Sequence, residues 1–260
     1  MNHELNAILA IAGRDVTKLL RDRTRIIFSF MFPLIFIGIL GQSLQANVAS
    51  SLGFNVLLFT FIGVMAQTLF QSSASGIISL VTDRDSDFAQ EMFVAPISRY
   101  TIITGKILGE STVSFILVLS ILILGLIMSI PVDWTRLILI LPAGFLACLL
   151  GGAFGVLVMS NLSGVQSANQ VFPFVIFPQF FLAGVFNPIT HLPPLLFVLS
   201  RIAPMTYAVD FLRGLYYLGR PEYSRVVLHS PLINLAIMSV LFLLYLTAGT
   251  YFLNHNEKNR

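Results

Sequence analysis

The residues that could carry out chemistry are few in this sequence, and they lie outside its long apolar runs. The four histidines fall in predicted loops or at the ends of apolar runs: His3, His191, His229 and His255. The sequence contains no H-E-x-x-H, no G-x-S-x-G and no Cys/His pattern with metal-ligand spacing, so we expect no catalytic residue and no metal site. It also lacks the G-x-x-x-x-G-K-[ST] loop that cradles nucleotide phosphates. An active transport function would therefore draw its energy from another polypeptide.

One group of charged residues lies in a predicted cytoplasmic loop at 82–110. Acidic residues precede a short helical stretch, where anions favour the positive end of the helix dipole: Asp83, Asp85 and Asp87. Phe88, Met92 and Phe93 give this stretch one apolar edge, and Pro96 ends it. Apolar side chains between charges predict a docking surface, and a solvated connector is the alternative.

A second group of charged residues lies in a proline-rich segment at 179–219. Its prolines exclude one straight helix: Pro188, Pro193, Pro194 and Pro204. The apolar stretch from Leu195 to Tyr216 carries Arg201, Asp210 and Arg213, which argues against a full membrane crossing and predicts two re-entrant or interfacial helices on the outer side. Asp210 and Arg213 stand three residues apart on one helical face, so we expect them to form a surface pair that anchors the loop; a role in gating is the alternative.

The composition indicates what must position these two segments. Apolar residues, which include 23 Phe, make up 56% of the 260 residues, and charged residues make up 10%. This is too few charges to cover the surface of a soluble protein. A soluble enzyme, a disordered tail and a disulfide scaffold are excluded. The net charge of +3 does not indicate nucleic-acid binding, since the basic residues flank the apolar runs. Cys148 is the single cysteine and cannot pair within the chain.

The apolar runs predict an all-α polytopic membrane protein, because a helix needs about 20 apolar residues to cross a bilayer. Six spans are predicted, at Ile26–Leu44, Phe54–Val81, Ser111–Ile130, Leu137–Met159, Val171–Ile189 and Pro231–Leu253. None of them contains Asp, Glu, Lys or Arg in its interior, which argues against an intramembrane enzyme or a proton relay.

Basic residues predict the orientation. With both termini in the cytoplasm, ten of the fifteen Lys and Arg residues fall on the inner side. Residues 1–25 carry an apolar stripe that includes Leu5, Leu9 and Leu19 opposite a basic face, which predicts an interfacial helix on the membrane lipids; a basic flank that fixes topology is the alternative.

Two spans carry small or polar stripes. Ala147, Gly151 and Gly155 recur at four-residue intervals, which lets helices approach closely either within one subunit or between two. A polar stripe late in the second span either bonds a neighbouring helix, which we favour, or lines a path: Gln67, Gln71, Ser72, Ser73 and Ser75.

The two charged segments resemble those of the type 2 family of ATP-binding-cassette exporter permeases. The first matches E-x-x-x-x-P-[IV]-[ST]-R at Glu91, Pro96, Ile97, Ser98 and Arg99. The second matches F-x-x-G-x-x-x-P, then L-P-P, then P-[LM]-T-Y-x-x-[DE]-x-x-R-G, at Phe181, Gly184, Pro188, Leu192, Pro193, Pro194, Pro204, Met205, Thr206, Tyr207, Asp210, Arg213 and Gly214.

The resemblance implies one permease domain over residues 1–260, with an interfacial helix at 1–25, a coupling loop at 82–110 and an extracytoplasmic gate loop at 190–230. It implies that a coupling helix docks on a separate ATPase subunit, which binds ATP and Mg²⁺, through Asp87, Phe88, Glu91, Met92, Pro96 and Arg99. It also implies a second permease copy or homologue across the translocation path. A multi-pass exporter in the cell membrane, for a hydrophobic or amphiphilic cargo (drug, lipid or lipid-linked glycan), is thus expected; an ATPase-independent channel or scaffold is the alternative.

Overall fold

A computed structural model describes residues 2–79, 98–162 and 164–258, and every regular element in these ranges is helical. Helix α1 spans Asn2–Arg21. Helix α2 (Arg23–Pro33), a π-helical stretch (Leu34–Gly41) and α3 (Gln42–Leu52) follow one another with helical backbone at the junctions. Together they form the first long apolar helical segment, which contains the predicted first span.

Three long helices follow, and each begins with a polar cap. Helix α4 (Val56–Gly76) begins after Asn55, α5 (Arg99–Ile127) after Ser98, and α6 (Trp134–Ser160) after Asp133. In each case the capping side chain accepts a hydrogen bond from a backbone N–H three residues later, which satisfies a donor that the first turn leaves unpaired.

The proline-rich part of the chain is broken into short helices. Helix α7 spans Val165–Leu182, and a 3-10 turn follows at Ile189–His191. Helices α8 (Pro194–Ile202) and α9 (Pro204–Tyr216) meet at an angle of 89°. The short α10 (Tyr223–Val226) leads into α11 (Pro231–Lys258). The bent pair before the last long helix confirms the predicted break in this region.

Within the described residues, five helices are long and apolar enough to cross a membrane, or six if the bent pair α8–α9 counts as one span. Helix α7, which overlaps the predicted fifth span Val171–Ile189, is not among the five, and the sixth candidate is the α8–α9 pair, for which no full crossing was predicted. Several helix bounds also differ from those of the predicted spans. Helix α4 ends at Gly76 rather than Val81, α5 begins at Arg99 rather than Ser111, and α7 ends at Leu182 rather than Ile189. The charged flank of the third span is thus part of the same helix, which Ser98 caps.

Helix α4 lies at the centre of the bundle, with 78% of its most apolar window buried inside the chain. It packs against α5, α6 and α9, and α11 packs on the outside of α6 and α9. Gly151 and Gly155 face α4 so closely that an added Cβ would lie 2.1 Å from the Phe70 carbonyl oxygen and 2.4 Å from the Ala74 carbonyl oxygen. The stripe of small residues in α6 therefore serves a contact within the chain.

Candidate functional site

The turn after α7 depends on a glycine of the proline-rich signature. Gly184 has a φ of 69°, a left-handed conformation that other residues rarely adopt. A Cβ at this position would also lie 2.6 Å from Cγ1 of Ile189. The chain therefore reverses sharply here, and the reversal leaves the carbonyl groups of Gly184 and Val185 pointing into the protein.

Arg213 binds these carbonyl groups from α9. Its Nη1 donates to Gly184 O at 2.6 Å and its Nη2 to Val185 O at 2.8 Å, while Nη2 also reaches Phe59 O in α4 at 3.2 Å. The guanidinium carbon lies 3.5 Å from the centroid of the Phe59 ring, and the residue is 2% exposed. We call these contacts the Arg213 clamp; they join α9, the turn after α7 and α4.

The Arg213 clamp requires a glycine on α4, at Gly63. A Cβ at Gly63 would lie 2.4 Å from Nη2 of Arg213 and 2.7 Å from Val185 O. The sequence analysis missed Gly63, since a lone glycine inside an apolar run carries no signal of its partner.

Asp210 lies one helical turn earlier in α9 and binds backbone N–H groups, whereas Arg213 binds backbone carbonyl groups. Its carboxylate accepts hydrogen bonds from the backbone N–H groups of Leu228 and His229 and from Nδ2 of Asn234, each at 2.8 Å. Asp210 is 3% exposed. It therefore fixes the segment that enters α11, and Asn234, which the sequence analysis did not identify, completes its set of donors.

The predicted surface pair between Asp210 and Arg213 is wrong on two counts. Both side chains are buried, and the structure shows no direct ion pair between these two described residues. They share a helix face, but each binds backbone groups instead of the other: Arg213 binds carbonyl groups after α7, and Asp210 binds N–H groups before α11. Both residues line a cavity of about 10 Å³.

The remaining residues of the predicted gate signature surround this cluster. Pro204 begins α9, and the hydroxyl of Tyr207 donates to Arg201 O at 2.6 Å, which holds the bend between α8 and α9. Gly214 lets Pro231 approach, since an added Cβ would lie 3.0 Å from its Cγ. Pro188 lines the small cavity, and Phe181 is 57% exposed beside Phe186. Gln179, which the sequence analysis did not assign to the signature, accepts a hydrogen bond from Met205 N and so joins α7 to α9.

The predicted docking residues Asp87, Phe88, Glu91, Met92 and Pro96 lie outside the described residues, and Arg99 is the first residue of α5. Their proposed role therefore stays a prediction. In the part of the chain that the structure describes, no group of three or more His, Cys, Asp or Glu side chains could hold a metal ion.

A larger cavity, of about 220 Å³, lies between α2, α4 and α5. Its lining contains hydroxyl, amide and apolar groups and no charged side chain: Ser29, Phe32, Pro33, Thr68, Gln71, Ser72, Ser75 and Leu117. Gln67 donates to Gln71 at 3.2 Å along α4, and the buried hydroxyl of Ser72 has no hydrogen-bond partner among the described residues. Three residues of the predicted polar stripe, Gln71, Ser72 and Ser75, thus face this cavity, whereas Gln67 and Ser73 do not line it.

Comparison with known proteins identifies the family. The model of the ABC-2 type transporter family matches residues 6–217, which covers most of the chain and includes the Arg213 clamp and the cavity beside α4. The chain belongs to the ABC-2 type transporter family. The chain is also 26% identical over 241 residues to a protein of Cyanophora paradoxa named "Putative transport permease ycf38", covering 91% of this chain and 81% of that protein.

Membership of the family settles several expectations. The chain is a multi-pass membrane permease and not itself an ATPase, and permeases of this family pair with ABC ATPase subunits. The family resemblance predicted from the two charged segments is confirmed.

Proposed function

We propose that this permease forms the translocation path of an ATP-driven exporter for hydrophobic or amphiphilic cargo such as a drug, a lipid or a lipid-linked glycan. A separate ATPase subunit binds ATP and Mg²⁺, and a second permease copy or homologue completes the path. The observation that carries the proposal is the uncharged cavity beside α4 in a chain of this family.

The chemistry of the cavity favours an amphiphile. Phe32 and Leu117 offer apolar surface, while Thr68, Gln71 and Ser72 offer neutral donors and acceptors. The lining offers no charge to pair with a charged cargo, and an unpaired ion removed from water is costly. A cargo with an apolar body and a neutral polar group matches both parts of the lining.

The Arg213 clamp and the Asp210 contacts hold the helices in fixed positions at the proposed extracytoplasmic end of the path. The proposed orientation places them on the extracytoplasmic side of the cell membrane, with both termini in the cytoplasm. There they hold α9 and the turn after α7 against α4 and fix the segment that enters α11, where the path must open to release cargo.

The first test is capture of the ATPase. The tagged permease is purified in mild detergent, and we expect a protein with a nucleotide-binding loop to accompany it. Replacing Glu91→Arg should reduce its recovery at least tenfold, whereas Glu257→Arg, which makes the same charge change elsewhere on the predicted cytoplasmic side, should not. Absence of any ATPase, or equal recovery with both variants, would overturn the coupling assignment.

The second test concerns the cargo class. Proteoliposomes containing the complex are supplied with rhodamine 6G, with a fluorescent phospholipid analogue or with a soluble acidic oligosaccharide. We expect the first or second probe to stimulate ATP hydrolysis and the oligosaccharide to have no effect. Stimulation by the oligosaccharide alone contradicts the cargo class, and dye flux through the permease without an ATPase would indicate a channel.

A further inference from the structure

A buried ionic network joins α1 to α5, away from the cavity and the Arg213 clamp. Nζ of Lys106 lies 2.7 Å from Oδ1 of Asp15 and 3.4 Å from Oε1 of Glu110, and each side chain is at most 3% exposed. No partner was predicted for Lys106, and neither Asp15 nor Glu110 was identified from the sequence. We call these three residues the Lys106 network.

Glycines bring the backbones of the two helices together beside this network. A Cβ at Gly105 would lie 3.2 Å from Cα of Ile8, and a Cβ at Gly109 would lie 3.0 Å from Cα of Ala12 and 2.8 Å from Oδ2 of Asp15. The two glycines and their two partners are each spaced by four residues. Helix α1 therefore contacts α5 backbone to backbone over a full helical turn.

The network also reaches the end of α4. A Cβ at Gly76, the last residue of that helix, would lie 1.8 Å from Oε2 of Glu110. The carboxylate of Glu110 is thus seated against the helix that precedes residues 80–97, while Glu110 itself belongs to the helix that follows them. The predicted coupling loop is flanked by two helices that meet at the Lys106 network.

Burying three charged side chains is not an efficient way to gain stability, because desolvation offsets much of their attraction. Such a network specifies a single arrangement instead, since a shift of α1 along α5 would leave a charge buried without its partner. Apolar contacts between the same two helices, such as those of Leu19 with Val113 and Leu117, do not require one particular position of α1 along α5.

We propose that Lys106 is a positioning residue that fixes α1, α5 and the end of α4 as one unit, which transmits movement of the coupling loop to the membrane helices. The inference rests on the proposed function, because it assigns the interfacial helix to the coupling machinery of the exporter. It requires that α1 does not slide on α5 during ATP hydrolysis.

The first experiment measures the position of α1 and needs no ATPase. In a Cys148→Ala background, Leu19→Cys and Val113→Cys introduce two thiols on α1 and α5 at side chains that belong to one buried apolar cluster, and Gly105 and Gly109 are left unchanged. Membranes are treated with copper phenanthroline, and free thiols are counted with a polyethylene-glycol maleimide. We expect fast closure in the background and with Lys106→Arg, and at least tenfold slower closure with Lys106→Met.

A charge exchange serves where Lys106→Met fails to accumulate. Asp15→Lys combined with Lys106→Asp is made in a Glu110→Gln background, because the new carboxylate would otherwise face that of Glu110. In that background the exchange keeps both the net charge and the pair, so closure should stay within about twofold of the Glu110→Gln rate. Background-like closure with Lys106→Met, or failure of the exchanged pair to close, would overturn the link.

The second experiment asks whether the unit moves as one body. Rhodamine-stimulated ATP hydrolysis by the reconstituted complex is compared before and after the disulfide closes. A rigid unit predicts that the stimulated-to-basal ratio stays within about twofold when the disulfide forms, and falls at least fivefold with Lys106→Met. Loss of stimulation on closure would show that α1 must slide, which contradicts the proposal. Failure to recover any ATPase counts against the proposed function, and the thiol assay still judges the link.

Discussion

Replacing Arg213 by methionine should destabilise the permease strongly, because the clamp satisfies backbone groups that have no other donor among the described residues. The carbonyl oxygens of Gly184 and Val185 accept hydrogen bonds from Arg213, and no described backbone N–H donates to either. Phe59 O lies within α4, where the helix supplies its own donor. Two buried carbonyl groups are therefore left unpaired in the variant.

The size of the effect follows from those two groups. Each buried acceptor without a partner costs about 1–3 kcal/mol, so Arg213→Met should lower the free energy of unfolding by about 2–6 kcal/mol. This corresponds to a fall in Tm on the order of 10 °C for a chain of this size. Arg213→Lys should recover little of it, because one ammonium group cannot reproduce the planar fork that binds two carbonyl groups and stacks on Phe59.

The buried thiol of Cys148 provides the assay, since it is the single cysteine and is 0% exposed. Purified protein is heated in detergent with a maleimide dye that fluoresces on reaction, and the midpoint of labelling is compared with that of Arg220→Met. Arg220 forms a partly exposed pair with Asp133, so its loss should cost at most about 1 kcal/mol. Equal midpoints for the Arg213 and Arg220 variants would refute the assignment of the clamp.

Three further outcomes can be checked by thermal unfolding, the first two with the same assay. Asp210→Asn places an amide donor against backbone donors and should cost about 1–3 kcal/mol for each group left unpaired, so its midpoint should fall well below that of the wild type. Gly63→Ala should destabilise by about 1–3 kcal/mol because its Cβ meets Arg213, whereas Gly13→Ala, with nothing within 4 Å, should stabilise α1 by up to about 1 kcal/mol. Hydrogen bonding to the backbone of the first turn of α6, with the nearby guanidinium groups, lowers the pKa of Asp133. The stability contributed by Asp133 is therefore present above its usual pKa near 3.9 and is lost as pH falls through the lower folded value. Asp133→Asn should remove this acid-dependent part. Thiols do not react with maleimide in acid, so these midpoints are read from the fluorescence of Trp134, the single tryptophan, and equal curves of midpoint against pH would contradict the prediction.

The membrane helices were predictable because their signal is local. Long runs without charge indicate spans, and the prolines at 188, 193, 194 and 204 indicate a broken segment before the last one. The helix ends were less accurate, since they depend on caps. Ser98 begins α5 well before hydropathy rises, so a charged turn that reads as loop is buried helix.

The partners of the charged residues could not be read from sequence, because they come from distant parts of the chain. Asp15 and Lys106 are 91 residues apart, and Phe59 and Arg213 are 154 apart. The glycines that admit these side chains, such as Gly63 and Gly76, acquire their meaning only when the opposing atoms are known. Spacing on one helix suggested the wrong partner for Arg213, since it contains no information about unpaired backbone nearby.

The two buried charge clusters differ in what they recognise, and the difference has a testable consequence. Arg213 faces the carbonyl end of α7 and Asp210 faces the N–H groups before α11, so each charge matches the polarity of a helix end. Those ends cannot be exchanged, because backbone direction fixes their polarity. Exchanging Asp210 and Arg213 should therefore be as harmful as losing both, although a simple ion pair would tolerate it. In the Lys106 network the partners are side chains, so the exchange of Asp15 and Lys106, made together with Glu110→Gln, should restore the contact. Exchanging two charges therefore distinguishes a residue that binds unpaired backbone groups from a residue that fixes the position of one helix along another.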